Sequence, residues 1–459
     1  MKTAVILAAG EGRGAWPYCG IRQKVTLPIA NVPMVRRLAL DLAAIGVTRQ
    51  VVVTGHRSEA VRACLGDLEG IRFVDQKSNN GPVHAALCGL QAVETDDVLI
   101  ACADCITSTD SLTRLIAAYD EGNAPVALVA PAGNTTAHYT TIESDSRGLV
   151  TAVQGRGERS QPRFAGFMVA KAGQLKHNYE RDPGIMTNAG IGAMPPLEGD
   201  LALCLDAMHK AGIPVRSITA NDFFVDVDRP WHLLMANRAV LNHTFDSMTG
   251  IELGEGASIH DGADVAEGAK LKLGPRARIG KGCRIGGNAI LEEGSSIING
   301  AILRGGNYIG ARTRCEDYGL VGHNTVLGNE CVVSHCAEFN GLCFDTVYFY
   351  HYCSISGIMG TAVDIGAASV CGTWRFDNAI REHDVCGHRE IPEAYGEKTY
   401  IGDYCRTGVN AIFMPGVKVG YYSCVGPGVI VKEDVPERTL LLTKQEHITK
   451  PWGPERYGW

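Results

Sequence analysis

A six-residue pattern of apolar and small positions runs from Ala257 to Asn340. In most hexads the fifth position is large and apolar, the third is small and the sixth is often glycine. From the third hexad onward the fifth positions are Leu273, Ile279, Ile285, Leu291, Ile297, Leu303, Ile309, Cys315, Val321, Leu327, Val333 and Phe339. This period predicts a prism of three parallel sheets, in which about 18 residues close one coil and the large side chains stack inward. The pattern resumes at Met359 and Ile365, and again from Ile401 to Val431.

The first 230 residues follow a different pattern, in which buried strands alternate with amphipathic helices. The predicted strands are residues 3–9, 50–55, 71–76 and 98–103. The predicted helices are residues 34–46, 58–68, 83–93 and 111–122. This alternation predicts a mostly parallel sheet with helices on both faces, and a ligand crevice at the carboxyl ends of its strands.

These patterns divide the chain into four parts. An α/β domain is predicted at 1–230, a linker helix at 231–249, a β-helix at 250–440 and a tail at 441–459. A polar stretch at 372–398 interrupts the β-helix and is predicted to be a loop outside the prism. The N-terminal apolar run is short and ends in glycines, which indicates a buried first strand and not a signal peptide.

Composition narrows the class of partner. The net charge is −7 and basic runs are absent, which disfavours a nucleic acid or an anionic membrane as a partner. No apolar stretch reaches the roughly 18 residues that a membrane-spanning helix needs. The 16 cysteines are scattered, and Cys283 and Cys331 occupy the small third position of their hexads. We therefore expect reduced packing cysteines in a cytoplasmic protein.

A glycine-rich loop directly after the first strand is the first candidate for chemistry. It reads LAAGEGRG, from Leu7 to Gly14. Glycines let backbone N–H groups approach a triphosphate, and a helix after the loop would add its dipole. Lys24, about ten residues on, could neutralise charge on the α-phosphate and on the leaving pyrophosphate. An ordinary strand-to-helix turn with a solvated lysine would have the same residues.

Three aspartates are candidate ligands for a metal ion. Asp104 follows the last predicted strand, and Asp226 and Asp228 lie at the far end of the domain. Phosphoryl transfer uses a hard cation held by carboxylates, for which Mg²⁺ is the usual choice. The alternatives are a helix N-cap for Asp104 and solvated strand-end charges for the other two. Cys102 and Cys105 flank Asp104 as C-x-x-C, which a redox pair or half a zinc site would also produce.

The loop and the lysine carry a family resemblance. LAAGEGRGAWPY and RQKVTLPIANVPMV resemble the LAAG-x-G-T-R-M and P-K-x-L-x-P-I motifs of sugar-1-phosphate nucleotidylyltransferases. Together with the hexads, they make the chain similar to bifunctional members that add an acetyltransferase β-helix, and the archaeal type is closer still. The chain departs from the motifs at Gly14, where the family has arginine, and at Gln23, where it has proline.

The resemblance implies an α/β Rossmann-like nucleotidyltransferase domain followed by a left-handed parallel β-helix. It implies transfer of a nucleotidyl group from an NTP to a sugar 1-phosphate, with Mg²⁺ on Asp104 and on Asp228 or Asp226. Lys24 and Arg13 would contact the phosphates. The nucleotide-binding residues that it implies are Leu7, Ala8, Ala9, Gly10, Gly12, Gln76 and Gly81.

The sugar side of the site departs further from the family pattern. Gly166 matches a sugar-contacting segment, but Phe164 and Ala165 replace its polar residues. Gln154 stands where a sugar-binding glutamate is usual. The resemblance therefore implies a sugar pocket at Gln154 and Gly166 without specifying the sugar.

For the β-helix, the resemblance implies a homotrimer and a second, acetyl-CoA-dependent acyl transfer. His351 is the candidate base, and Tyr350 occupies that position in an ungapped register. Asn340 stands where the family has a lysine that binds the sugar phosphate, and Asp364 stands where it has an asparagine that binds the sugar. Thr373 replaces the asparagine of the family's N-L-R segment. Two rival readings stay open: an impaired regulatory or scaffold homologue that binds a nucleotide sugar, and an enzyme that is an acyltransferase only. His383, Cys386 and His388, in the interrupting stretch, could also ligate zinc.

Overall fold

The computed structural model describes residues 2–78, 80–132, 139–155, 161–181, 185–186 and 197–456. The first part of the chain contains a nine-stranded sheet flanked by helices. Its main path, from edge to edge, is Val150–Gln154, Thr141–Ser144, Arg163–Lys171, Asp97–Cys102, Thr3–Ala8, Arg49–Thr54 and Ile71–Asp75. The other two strands, Val126–Ala130 and Arg216–Thr219, pair in parallel with each other beside Arg163–Lys171.

The parallel half of this sheet is the half that the sequence predicted. Thr3–Ala8 pairs in parallel with Arg49–Thr54 on one side and with Asp97–Cys102 on the other. Arg163–Lys171 then adds in the antiparallel direction, next to Asp97–Cys102. The sheet is therefore mixed, because Arg163–Lys171 runs antiparallel both to Asp97–Cys102 and to Val126–Ala130.

The predicted helices are all present, with ends that differ by a few residues. The helices are Met34–Ala44, Ser58–Leu65, Gly81–Gln91, Thr109–Gly122, Ala172–Tyr179, Leu203–Lys210 and Pro230–Ser247. The fourth begins before Ser111 because the Ser108 hydroxyl accepts a hydrogen bond from the Ser111 N–H and caps the helix. We call Pro230–Ser247 the linker helix. No helix among the described residues is long and apolar enough to cross a membrane.

The hexads form a parallel β-helix with three faces. The first face contains Ile251–Leu253, Leu271–Leu273, Ala289–Leu291, Asn307–Ile309, Val326–Leu327, Thr399–Ile401 and Lys418–Val419. The second contains Ser258–Ile259, Arg278–Ile279, Ser296–Ile297, Arg314–Cys315, Val332–Val333, Tyr348–Phe349, Asp364–Ile365, Arg406–Thr407, Cys424–Val425 and Leu440–Leu441. The third contains Asp264–Val265, Arg284–Ile285, Ile302–Leu303, Leu320–Val321, Val370–Cys371, Ile412–Phe413 and Ile430–Val431. Glu338–Cys343 and Ser354–Met359 each span the corner between the first and third faces.

The core of the β-helix is the column that the hexads predicted. All of the fifth-position residues from Leu273 to Phe339 are buried, as are Cys283 and Cys331. Ile279 pairs with Ile297, which fits a coil of about 18 residues. Farther along, Val333 pairs with Phe349, two residues short of a full coil. The hexad pattern ends after Asn340. There the six-residue strand Glu338–Cys343 continues through the corner of the prism, where the two- and three-residue strands of the preceding coils end.

The interrupting stretch 372–398, which we call the insertion, contains more structure than the predicted loop. His383–Val385 and His388–Glu390 form a small antiparallel hairpin. The insertion leaves the prism and packs against the start of the linker helix, where the Trp231 and His383 rings meet edge to face with centroids 5.2 Å apart. The β-helix thereby reaches back to the end of the α/β domain that carries Asp226 and Asp228.

Candidate active site

One lysine and three aspartates converge at the carboxyl end of the sheet. The Lys24 Nζ atom lies 2.6 Å from an Asp104 oxygen and 2.6 Å from an Asp228 oxygen. Carboxylate oxygens of Asp104, Asp226 and Asp228 lie within 4.8 Å of one another. The fold thus brings aspartates that lie about 80 to 200 positions after Lys24 in the chain together around its ammonium group.

A short antiparallel pair of strands causes this convergence. Cys105–Thr107, directly after Asp104, pairs with Phe224–Asp226, so that Asp226 stands opposite Cys105. The Val227 N–H then donates to the Asp104 carbonyl oxygen at 2.9 Å. This pairing places Asp228 beside the end of the central strand, where ligands bind in sheets of this kind.

The pKa values of Lys24, Asp228 and Asp226 shift in different directions within the cluster. Burial lowers the pKa of Lys24, but Asp104 and Asp228 outweigh burial and hold that pKa well above its usual value. Burial raises the pKa of Asp228, but Lys24 and Arg229 reverse the effect and leave it below the usual value. Burial, together with the charges of Asp228 and Asp104, raises the pKa of Asp226 well above its usual range. Lys24 therefore stays charged and Asp228 ionised, while Asp226 favours its proton.

The glycine loop packs directly against Lys24. Gly12 has φ +66°, and a Cβ atom placed there would overlap the Cβ of Lys24. Glycine is needed at this position both for its backbone conformation and for the close approach. Leu7, Ala8 and Ala9 are buried, whereas Gly10 is exposed. The expected helix after the loop is wrong: the loop leads into a three-residue 3-10 turn, Arg13–Ala15, which is too short to supply a helix dipole.

Gln23, the departure from the family proline, braces this loop. Its side chain is 1% exposed, and its Nε2 donates to the carbonyl oxygens of Ala8 at 3.1 Å and Gly10 at 2.7 Å. Its Oε1 accepts from the Val25 N–H. Sequence reasoning missed this role, although a polar residue beside the lysine of a phosphate loop is a signal that could have suggested it.

Arg13 extends away from the lysine cluster. Its side chain is 77% exposed and forms an ion pair with Glu11. It also lines a cavity of about 460 Å³ between the loop and the β-helix, together with Trp16, Asp384 and Lys418. A contact between Arg13 and a bound phosphate stays a prediction.

The predicted base-contacting residues lie together beside the third parallel strand. Gln76 is 7% exposed, and its Nε2 donates to the Gly81 carbonyl oxygen at 3.1 Å and lies 2.9 Å from the His84 Nδ1. His84 stands in the first turn of Gly81–Gln91, which fits the predicted helix-start role. The amide nitrogen of Gln76 is thus held, and its orientation is set by the helix start.

The two predicted sugar-side residues differ in environment. Gln154 is exposed at the end of Val150–Gln154. Gly166 has φ +77°, and a Cβ atom there would lie 2.5 Å from the Cys105 sulfur. Gly166 therefore packs behind the turn that carries Asp104. The ligand atoms of Cys102, Asp104 and Cys105 also lie within 4.8 Å of one another, and a role for this C-x-x-C segment in redox or zinc binding stays a prediction.

The part of the chain that carries Lys24 and Asp104 is similar to a known protein family. Residues 4–170 match the family model of the MobA-like NTP transferase domain. The match covers the glycine loop, Lys24 and Asp104, and it ends just after Gly166.

The similarity to individual proteins extends beyond residues 4–170. Bifunctional protein GlmU of Methanococcus maripaludis is 23% identical over 450 residues, which are 97% of this chain and 98% of the relative. The bifunctional sugar-1-phosphate nucleotidylyltransferase/acetyltransferase of Sulfurisphaera tokodaii is 23% identical over 438 residues, 94% of this chain and 98% of the relative. A solved UDP-glucose pyrophosphorylase with UDP-glucose has 17% identity and a TM-score of 0.44, and covers 53% of this chain and 99% of that one. The similarity to these two bifunctional relatives thus runs along nearly the whole length of the chain.

The β-helix that follows the α/β domain contains a second candidate site. A cavity of about 570 Å³ lies between the prism and the insertion. Its lining includes Glu338, Asn340, Ser356, Thr373, Trp374, Arg375 and Lys398. Lys398 donates from Nζ to the Ser356 hydroxyl at 2.6 Å, and burial lowers its pKa.

His351 does not line that cavity. It is exposed at a corner of the prism, where its Nδ1 lies 3.0 Å from the Nδ1 of His335. The Tyr350 ring lies beside both imidazoles, tilted by 56° from that of His335 and by 35° from that of His351. Within the described part of the chain, the ligand atoms of His383, Cys386 and His388 do not all lie within 4.8 Å of one another, so these residues do not form a metal-binding group.

Proposed function

We propose that this protein transfers a nucleotidyl group from an NTP to a sugar 1-phosphate and releases pyrophosphate. The observation that carries the proposal is the Lys24 ammonium held between Asp104 and Asp228 beside a glycine loop. A MobA-like NTP transferase domain and the name of the Sulfurisphaera relative support the same reaction.

In the proposed reaction, a phosphate oxygen of the sugar attacks the α-phosphorus in line, and the α–β bridging oxygen leaves with pyrophosphate. Backbone N–H groups of the loop orient the triphosphate, and the ammonium of Lys24 stabilises the charge that develops on it. Its raised pKa keeps Lys24 positive throughout the neutral range. Gln76 and Gly81 would contact the base, Arg13 the phosphates, and Gln154 and Gly166 the sugar side.

The carboxylate cluster fits Mg²⁺. Asp104, Asp226 and Asp228 offer oxygen ligands within 4.8 Å of one another, and oxygen is the donor that Mg²⁺ prefers. Burial, together with the like charges of Asp228 and Asp104, raises the pKa of Asp226, and a divalent cation would relieve that crowding of negative charge. Asp104 and Asp228 would hold the ion, which when bound neutralises phosphate charge. Lys24 would then exchange its carboxylate partners for phosphate oxygens.

A second candidate function is acetyl-CoA-dependent acyl transfer on the β-helix. It is favoured by the cavity that Asn340, Thr373 and Lys398 line, and by the names of the bifunctional relatives. His351 would serve as base only where another part of an assembly brings an acceptor to its corner of the prism. The transferase site would stay active in its absence.

We also propose that the β-helix forms a homotrimer in the cytoplasm. Large aromatic side chains are exposed on the prism, among them Tyr318, Tyr348, Tyr352, Tyr404 and Tyr422. Sedimentation would distinguish a trimer, at three times 49.1 kDa, from a monomer. Buried thiols such as Cys283 and Cys331 support a reducing compartment.

One assay tests the leading function. The full chain is incubated with each of the common nucleoside triphosphates, a panel of sugar 1-phosphates and Mg²⁺, and pyrophosphate release is measured. We expect release with at least one pair, and its loss in Asp104→Asn. Retained activity in Asp104→Asn would refute the metal assignment, and no release with any pair, while a nucleotide sugar still binds, would favour the regulatory reading. Release of free CoA from acetyl-CoA, with His351→Ala as the comparison, tests the second function.

A further inference from the structure

The insertion places the carboxylate of Glu393, whose side chain is 17% exposed, against the start of the linker helix. Glu393 accepts a hydrogen bond from the Trp231 Nε1–H at 3.0 Å on one oxygen. Its other oxygen lies 2.8 Å from the His232 Nε2. Trp231 is 1% exposed and His232 is 5% exposed, so water does not compete strongly for these bonds. Glu393 therefore orients both rings.

The orientation of His232 extends to the candidate active site. Its Nδ1 accepts a hydrogen bond from the backbone N–H of Asp228 at 3.1 Å. A ring nitrogen that accepts a hydrogen bond carries no proton. The proton of His232 is therefore on Nε2, where it is donated to Glu393, and the carboxylate fixes the tautomer that Asp228 requires.

A second carboxylate of the insertion acts on the other side of the same residue. Glu390 pairs with Arg229 through two parallel hydrogen bonds, of 2.7 Å from Nε and 2.9 Å from Nη2. The remaining nitrogen of Arg229, Nη1, donates to the Asp228 carbonyl oxygen at 3.0 Å. Such a bidentate pair fixes the plane of the guanidinium as well as its distance.

We propose that the insertion of the β-helix positions Asp228 for nucleotidyl transfer. Glu393 holds the N–H of Asp228 through His232, and Glu390 holds its C=O through Arg229. With both backbone groups held, the Asp228 carboxylate keeps its 2.6 Å contact with Lys24. The inference rests on the proposed function, because it assigns Asp228 to the cation site. Glu393, Glu390, His232 and Arg229 are positioning residues that need not touch the substrate.

The alternative is that these bonds merely fasten the β-helix to the transferase domain. The structure contains another bond of that kind: Arg22 pairs with the fully buried Asp403 of the β-helix, at 2.9 and 2.7 Å. Asp403 also accepts a hydrogen bond from the Thr361 N–H at 2.7 Å, and among the described residues it forms none with Asp228, Arg229 or His232. Asp403→Asn is thus the matched control, since it weakens domain attachment and leaves Asp228 held.

The experiment compares five full-length variants. They are Glu393→Gln, Glu390→Gln, His232→Leu, His232→Asn and Asp403→Asn. Mn²⁺ binding is followed by the electron paramagnetic resonance signal of the free ion, and kcat and KM are taken from pyrophosphate release. Thermal unfolding is recorded for each variant, so that a loss of fold is recognised.

We expect Glu393→Gln, Glu390→Gln and His232→Leu to weaken Mn²⁺ binding and lower kcat by roughly ten- to a hundredfold. His232→Asn should retain most of both, because the asparagine oxygen can accept from the Asp228 N–H as Nδ1 does. Asp403→Asn should lower the unfolding temperature and leave Mn²⁺ affinity near the wild-type value.

Wild-type Mn²⁺ affinity in a folded His232→Leu variant would overturn the inference. So would an equal loss in Asp403→Asn and Glu393→Gln, because attachment alone would then explain both. A wild-type chain that binds no Mn²⁺ overturns it whatever its turnover. If Mn²⁺ binding follows the expected order but no NTP and sugar pair releases pyrophosphate, the proposed function fails and the positioning of Asp228 stands.

Discussion

Gly14 occupies a position where a side chain has no room. A Cβ atom placed on it would lie 2.6 Å from Arg229 Nη1 and 2.7 Å from the Asp228 carbonyl oxygen. Non-bonded atoms do not approach that closely, and the carbonyl belongs to the backbone, which moves less easily than a side-chain tip. In Gly14→Ala, Arg229 must therefore give up its hydrogen bond to Asp228, its pairing with Glu390, or both.

The size of the effect follows from these contacts. Inserting a methyl group into packed structure costs about 1–3 kcal/mol. A lost hydrogen bond from a charged donor costs about 1.5–3 kcal/mol. The two overlap, because moving Arg229 relieves the clash that breaks its bond. We therefore expect Gly14→Ala to lower the free energy of unfolding by about 2–4 kcal/mol, and to lower pyrophosphate release by displacing Asp228.

Urea unfolding and the pyrophosphate assay measure the two effects. The matched control is Gly173→Ala, since nothing lies within 4 Å of a Cβ atom at Gly173 in the helix Ala172–Tyr179. Alanine there should be stabilising by about 0.5–1 kcal/mol and leave activity unchanged. In an Arg229→Ala background, the cost of Gly14→Ala should shrink. If Gly14→Ala costs less than about 0.5 kcal/mol, the range of ordinary surface substitutions, the close packing of Gly14 against Asp228 and Arg229 is refuted.

Two further predictions follow from the pKa shifts. Burial and the nearby carboxylates raise the pKa of Asp226, which favours its protonated form, and a protonated carboxyl group resembles an amide in shape and charge. Asp226→Asn should therefore retain more pyrophosphate release than Asp104→Asn. Equal losses in the two variants would make Asp226 a metal ligand. Burial lowers the pKa of His383 to about 4, whereas the unfolded chain takes up a proton near pH 6.5. The contribution of His383 to the free energy of unfolding is therefore full above pH 6.5 and falls by up to about 3 kcal/mol as the pH drops to 4. His383→Gln should remove this pH dependence, as measured by urea unfolding at several pH values. A variant whose stability depends on pH as that of the wild type does would contradict the prediction.

The architecture of the β-helix could be predicted because the position of a residue within its hexad indicates whether its side chain points inward. Ile279, Ile297 and Cys315 are buried as their position in the repeat requires. The short coil that contains Phe349 could not be predicted, because it depends on Glu338–Cys343 crossing a corner. That depends on how one strand pairs with strands on two faces, Leu320–Val321 and Val326–Leu327, which periodicity does not encode.

The candidate site was partly predictable for a similar reason. Asp104 ends a buried strand and Lys24 follows a glycine loop, and the carboxyl ends of parallel strands meet at one edge. Their ion pair therefore follows from local pattern and topology. Gln23 and Glu393 act through hydrogen bonds to backbone or to rings on other elements. No local pattern marks such bonds, since a buried polar residue in a loop looks like a solvated one in the sequence.

Gly14 shows how a departure from a family motif can be misread without the fold. As a sequence feature, the missing arginine suggested a weakened phosphate loop. In the structure, the guanidinium of Arg229 fills the space next to Gly14, and Glu390 of the β-helix fixes that guanidinium in place. An arginine at position 14 would clash with Arg229 and with the Asp228 carbonyl. The glycine is therefore required by the way the insertion meets the transferase domain, and by itself it does not favour an inactive homologue.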